Sequence, residues 1–371
     1  QLDKLESKMK IHPLRLEKFN GRFRYEDDHI MVEDLSGKIG NSEFTTSLHY
    51  YLGKDDAIRK RDNFISVNAK RLDFDELFNY TPPPPTKVPT PQEHEAGFNI
   101  FELPFTDMNI QFYIKQLNYH RYSINDFITN ARIQKNHFLY IDTLSLLAAG
   151  GRVGLAGYFN GADKSKIYFS PELTFDNLDL DKLLFKFENF GQDHLVSENI
   201  HGKISGTVTG KIRMHADMIP IVDDSEIHID LNVIDGRLDN YPAFEALSDF
   251  FRDKNLKKVR FDTLRNHIDL AKGVISIPNM VINSSLGFIE VSGKQNTDMT
   301  MEYYLRVPLK LVTQTGMQKL FTQKTEVDAE TEDAIQYKDE SKRIRYLNLK
   351  VTGTPDNYKI SLGKDKTSNK Q

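Results

Sequence analysis

The chain has 371 residues, 39% of them hydrophobic, with 49 Lys and Arg against 53 Asp and Glu, a formal net charge of -4, and no cysteine. That length can bury a substantial core or two domains. The near-balanced charge argues against a nucleic-acid partner, which calls for a basic surplus, and the missing thiols exclude disulfides, zinc–thiolate sites and cysteine nucleophiles. No stretch has the roughly 18 consecutive apolar residues of a membrane-spanning helix. Because the sequence opens on Gln1, we expect an excerpt with a targeting or anchoring segment upstream.

Residues 1–80 form an N-terminal β segment. Phe23 with Tyr25, His29 to Val32, Phe44 to Tyr51, and Phe64, Ile65 and Val67 have the composition of strands. Asp73 followed by Glu76 three residues on is a capping-box spacing, which predicts a short helix within Arg71 to Phe78. Residues 81–97 hold TPPPPTKVPTPQEHEAG; proline lacks the amide donor and fixes φ, so a stiff extended loop is predicted.

From Met108 onward apolar residues alternate with polar ones. Side chains on a strand point to opposite faces in turn, so alternation marks a sheet with one apolar and one wet side. Met108, Ile110 and Phe112 follow the rule, as do Phe138 with Tyr140, Leu144 with Leu146, and Val153 with Leu155. After a strand over Ile167 to Phe175, a second short helix is predicted from Asn177 to Leu184. Val208 and Ile212, then Ile229, Leu231 and Val233, continue the pattern. Asn240-Tyr241-Pro242 opens a third helix with Phe244, Leu247, Phe250 and Phe251 as its apolar stripe.

The run from Phe261 to Pro308 carries the pattern most fully. Ile275 and Ile277 precede Pro278, Ile289 and Val291 precede Gly293, and Met299, Met301, Tyr303, Leu305 and Val307 take successive odd positions of one strand. Residues 324–343 are acidic and polar, predicting a loop or disordered excursion. Tyr346 to Val351 and Tyr358 to Leu362 end the sheet, and 363–371 is a polar tail. The expected fold is mainly β: a long antiparallel meander curled into an open groove, with about three short helices. Three short helices are too few to cover so many strands, so the sheet must cover itself or stay open on its apolar side.

Three segments read as copies of one unit, beginning at His29, Asn136 and Lys272. Each has a turn, a strand, a small bend, a second strand, a small-residue turn and a third strand. Leu72-Asp73-Phe74-Asp75 and Leu178-Asp179-Leu180-Asp181 also echo each other.

Catalytic motifs are absent: there is no G-x-S-x-G, H-E-x-x-H, P-loop or G-x-G-x-x-G. His215 with Asp217, and His228 with Asp223, Asp224 and Asp230, are conceivable metal clusters, but His228 and Asp230 share the wet face of one strand, so no metal site is assigned. Asp73, Asp75, Asp179 and Asp181 fit helix caps and dipole partners better than paired catalytic carboxylates. Lys254, Lys257, Lys258 and Arg260 form a solvated basic cluster.

Several of these stretches resemble the C-terminal region of AsmA-like envelope proteins of Gram-negative bacteria. The resemblance rests on Asp235-Gly236-Arg237-Leu238, on Val259-Arg260-Phe261-Asp262-Thr263-Leu264, on Lys272-Gly273-Val274-Ile275-Ser276-Ile277-Pro278 and on Ser284-Ser285-Leu286-Gly287-Phe288-Ile289-Glu290-Val291-Ser292-Gly293. It extends to Leu178-Asp179-Leu180-Asp181-Lys182-Leu183-Leu184 and Gly150-Gly151-Arg152-Val153-Gly154-Leu155, and spans roughly 98–362, with the N-terminal part a degenerate copy. It implies a periplasmic β-groove anchored in the inner membrane through an upstream helix. It also implies a part in outer-membrane biogenesis, carrying phospholipid acyl chains, with no catalytic residues and no cofactor. The alternative is a scaffold or chaperone offering sheet edges to outer-membrane proteins during assembly. The groove-lining candidates are the alternating residues Met108, Ile110, Phe112, Val208, Ile212, Ile229, Leu231, Val233, Ile275, Ile277, Ile289, Val291, Met299, Met301 and Leu305.

Overall fold

The structure is a computed structural model that describes residues 2–8, 14–77, 99–102, 105–119, 122–186, 197–240, 257–312, 335–339, 341, 343–355 and 357–365. The proline-rich 81–97, the helix expected from Asn240, most of the acidic segment and the end of the tail lie outside these residues. Mainly β, as the alternation predicts, the described chain has eighteen strands and three short α-helices. It divides into two compact units, Gln1–Thr174 with Lys211–Ile221, and Phe175–Gly210 with Val222–Gln371.

In the first unit β1 (Leu2–Lys8), β2 (Arg15–Glu26), β3 (His29–Ile39), β4 (Ser42–Tyr51) and β5 (Phe64–Asp73) pair antiparallel in sequence order. So do β6 (Met108–Tyr119), β7 (Tyr122–Gln134), β8 (Phe138–Ala148) and β9 (Gly151–Asn160). Between these two series the expected meander is broken, because β5 and β6 run parallel, with Ile65 opposite Ile110 and Val67 opposite Phe112. Parallel neighbours need a crossover of a dozen or more residues, and the long connection containing 81–97 is that crossover.

Strands β10 (Tyr168–Asp179), β11 (Ile200–Met214) and β12 (Pro220–Asp239) each have residues in both units. The second unit continues with β13 (Lys258–Ala271), β14 (Val274–Ser284), β15 (Gly287–Asn296), β16 (Met301–Pro308), β17 (Tyr346–Thr354) and β18 (Asn357–Leu362). From β12 to β18 every neighbour is antiparallel.

The three repeat copies become three hairpins of one design. The two strands expected before each small-residue turn are a single strand with a β-bulge, which looks in sequence like a bend. In β3 the register slips between Val32 and Leu35, in β8 between Ile141 and Leu144, and in β14 between Ile277 and Met280. The last pair before the turn is then Ile39 with Ser42, Ala148 with Gly151, and Ser284 with Gly287, at the same distance from the bulge each time. A bulge opposes two residues to one and so switches which parity faces the core. Opposite Ile141 and Ile277 stand Gly157 and Gly293, at φ 143° and 156°. A Cβ there would lie 2.3 Å from the Ser170 carbonyl oxygen or 2.4 Å from that of Glu302, a clash only glycine avoids.

Helix α1 (Asp56–Asp62) has no counterpart in the sequence reading, although Asp55 caps it by accepting from the Ala57 and Ile58 amides at 2.8 and 3.3 Å. Helix α2 (Phe74–Leu77) starts where the capping box placed it, with the Glu76 amide donating to Asp73 at 3.0 Å. The reciprocal half of the box is redirected: the Glu76 carboxylate accepts from the Asn41 amide at 2.7 Å, and the Asp73 amide donates to Ser42 Oγ at 2.9 Å. The helix thereby ties down the β3–β4 turn. Helix α3 (Leu180–Lys186) begins later than expected, because β10 runs on through Asp179. Asp179 pairs with Lys182 at 2.5 Å and also with Lys203, and these ammonium groups hold its carboxyl below the usual aspartate range.

Candidate functional site

Residues opposite one another across a ladder share a face, so the registers trace the apolar side strand by strand. In the first unit Phe23, Val32, Leu48, Ile65, Ile110, Ala131, Ile141 and Gly157 form one continuous row across eight strands. A second row joins Val67, Phe112, Thr129, Leu144 and Leu155. In the second unit Met280, Val291, Leu305, Leu349 and Leu362 make one row, and Ile277, Gly293, Tyr303, Val351 and Ile360 the next. The bulge in β14 is what keeps Ile277 and Met280 on one side.

The alternation in β6 is plain: Met108, Ile110 and Phe112 are half-buried, whereas Gln111 and Tyr113 are exposed. In β11 Val208 and Ile212 are half-buried between exposed Thr207, Thr209 and Lys211. Ile229 and Leu231 are half-buried and Val233 is buried in β12, against exposed His228 and Asp230. Ile275, Ile277, Ile289, Val291, Met301 and Leu305 are half-buried as well. Met299 is the correction. It sits in the β15–β16 turn at φ 68°, its Sδ accepting from Gln295 Nε2 at 3.4 Å, so it is not part of the strand. Strand β16 starts at Met301 because Asp298 accepts from the Thr300 amide and hydroxyl, which closes the turn there.

Full burial concentrates where short elements lie against strand ends. Phe74 of α2 packs against Ala69, Ile114 and Leu117. Ile100 packs with Phe159, Ile167 and Met214, joined by Ile212. In the second unit Leu180 of α3 meets Val233 and Phe261, and Leu311 and Val312 meet Val307, Leu347 and Leu349. Away from these ends most row residues are only half-buried, although Val32, Ala131 and Thr129 are buried. The predicted candidates are therefore brought into one apolar side in each unit, except Met299, and sequence reading missed Ile65 as the cross-strand partner of Ile110, and Leu48, Ile141 and Val351 as further members of the same rows.

The other side is polar and densely paired. A cleft of 580 Å³ in the first unit is lined by His29, Met31, His49, Phe64, Asp62 and Asn109 among others. Asp62 accepts from Arg61 at 2.5 Å and lies 3.1 Å from His29 Nε2. The Arg61 hydrogen bond, with help from His29 and against partial desolvation, pulls the Asp62 pKa down to about 2.

In the second unit Glu290 is 2% exposed and is held by Arg306, by Lys338 Nζ at 3.2 Å and by the Tyr346 hydroxyl at 3.1 Å. The Arg306 guanidinium also stacks 4.2 Å from the Tyr346 ring centre. Residues 335–339, within the acidic segment, are pinned over these strands. The Gln336 amide donates to the Ser284 carbonyl at 3.0 Å, and the Tyr337 hydroxyl to Asp262 at 2.7 Å. Their lack of regular structure agrees with the predicted loop, but the loop is anchored.

The metal clusters considered from sequence do not assemble as drawn. Asp223 accepts from Thr297 Oγ1 at 2.6 Å, and Asp217 accepts from the Ile219 amide at 3.0 Å. His228 instead faces Asp269, and Asp230 faces His267, across the β12–β13 ladder. The available signal was a repeated triplet, since His-Ile-Asp occurs at 228–230 and again at 267–269. His228 Nδ1 lies 2.6 Å from Asp269 Oδ1, and His267 Nε2 lies 3.0 Å from the same oxygen.

Comparison with protein-family models, curated proteins and solved structures returns no match to this chain.

Proposed function

We propose that the chain is a non-enzymatic carrier of phospholipid acyl chains, which lie against the apolar sheet face, and that it works in the periplasm in outer-membrane biogenesis. The observation that supports this reading most is the state of that face. Thirteen of the fifteen candidate residues are half-buried on strands, in rows of Ile, Val, Leu, Met and Phe. A sealed sandwich core would bury them, and a solvated face would not be built of them. The AsmA-like sequence motifs point the same way.

The energetics suit a carrier. Each methylene leaving water contributes about 0.8 kcal/mol, so a chain of about sixteen carbons crosses water at a cost above ~10 kcal/mol. An apolar face returns most of that without a placed polar atom, and exchange with a bilayer stays near neutral. Native mass spectrometry of gently purified protein, followed by uptake of a fluorescent phospholipid after delipidation, tests the reading. Bound phospholipid and saturable uptake are expected. A lipid-free protein that takes up no probe would leave the assembly-scaffold reading instead.

A further inference from the structure

We propose that the paired His-Ile-Asp triplets of β12 and β13 form a binding site for a divalent transition-metal ion of the zinc class, on the polar face of the second unit. The antiparallel register places each histidine opposite the other strand's aspartate, His228 with Asp269 and His267 with Asp230. Donor atoms of His228, His267 and Asp269 all lie within 4.8 Å of one another. They converge because His228 Nδ1 and His267 Nε2 both address Asp269 Oδ1. The two imidazoles stack with centres 6.2 Å apart and planes 13° apart, so both rings present an edge to that oxygen.

Asp230 supplies an independent sign. It lies 2.8 Å from His267 Nδ1, the nitrogen turned away from the shared oxygen. A carboxylate on the far nitrogen fixes the tautomer and orientation of a metal-binding imidazole and raises its basicity. His267 would then bind through Nε2, His228 through Nδ1 and Asp269 through one oxygen, with Asp230 a positioning residue. Two nitrogens and one carboxylate oxygen suit zinc, and suit magnesium or calcium poorly. Tetrahedral bonds of about 2.0–2.2 Å set donors roughly 3.3–3.6 Å apart, so the two imidazole nitrogens close by about an ångström while Asp269 Oδ1 draws back by a few tenths to admit the ion between them. Three of the four side chains are about half exposed and Asp230 more so, so rotamer adjustment is cheap. Such exposure leaves room for water at the remaining positions, so the site would be open on one side.

The test is titration of the tag-free full chain with zinc chloride by calorimetry, with a thermal-shift series in parallel. One saturable site is expected, together with a zinc-dependent rise in Tm that magnesium does not reproduce. His228→Gln and His267→Gln keep side-chain size and hydrogen bonding and should abolish both signals. Asp230→Asn should weaken binding by about tenfold or more without abolishing it. Far-UV circular dichroism of each variant separates lost binding from lost folding, and Asp269→Asn provides a third ligand-removing variant. No saturable heat with wild-type protein, or equal binding by the ligand variants, overturns the site. Wild-type affinity in Asp230→Asn overturns the role given to Asp230.

Discussion

Ile277 and Met280 face the same side of β14 although they lie three positions apart, an offset that puts side chains on opposite faces of a regular strand. Ile277 pairs with Gly293 and Met280 with Val291, so Pro278 and Asn279 absorb the extra residue as a bulge. Proline is tolerated there because a bulge frees it from the ladder. Everything beyond the bulge, including Ile282 opposite Ile289, depends on that one-residue offset to reach the apolar side.

Deleting Asn279 should therefore turn Met280 and Ile282 to the polar face or break the β14–β15 register. A one-residue slip exchanges the two faces of a strand, and misplacing two large apolar side chains costs about 3 kcal/mol or more. Urea unfolding should show a clearly lower midpoint for the deletion, whereas Asn279→Ala, which keeps the bulge, should stay within about 1 kcal/mol of wild type.

Glu290 should behave as a structural carboxylate. Its replacement by alanine leaves Arg306, Lys338 and Tyr346 without their common acceptor, at a cost of about 2–3 kcal/mol, below the full buried-pair figure because both cations reach solvent. Denaturant titration of Glu290→Ala against Arg306→Ala checks the order, since Arg306→Ala leaves the carboxylate with Lys338 and Tyr346 and should cost less.

The Asp62 carboxyl gives a defined acid dependence. Its folded pKa of about 2 lies below the unfolded value of about 3.9, so its contribution is present in full above pH 4. That contribution fades as the pH falls from 4 through 2, because protonation then removes the Arg61 and His29 bonds. Tm profiles of wild type and Asp62→Asn should differ at neutral pH and draw together toward pH 2. A constant gap across that window would contradict the assignment.

Alternation alone displayed most of the strands and the apolar side, because period-two placement of Ile, Val and Leu is a local property. What escaped is non-local. The parallel β5–β6 pair depends on a long crossover, and no residue of β5 announces which neighbour it takes. The bulges looked like breaks between strands, since a parity switch and a turn leave the same mark in a sequence. Asp55 before Asp56-Ala57-Ile58 was a readable helix start, and Asp55→Ala should cost about 1 kcal/mol through the lost cap. His228 was assigned neighbours along its own strand, whereas its partner Asp269 is set by the β12–β13 register. Met299 fitted the odd-number rule but sits in a turn closed by Asp298, whose hydrogen bonds to Thr300 the apolar pattern does not encode.

The carrier reading turns on whether hydrocarbon occupies the apolar rows, and position-resolved photocrosslinking addresses that directly. A diazirine side chain placed at Ile110, Ile289 or Met301 should yield phospholipid adducts in cells. The same group at Gln111 or Lys294, exposed positions on the strands that carry Ile110 and Ile289, should yield few. Adducts only to protein at all five positions, or lipid adducts without preference for the apolar side, would contradict it.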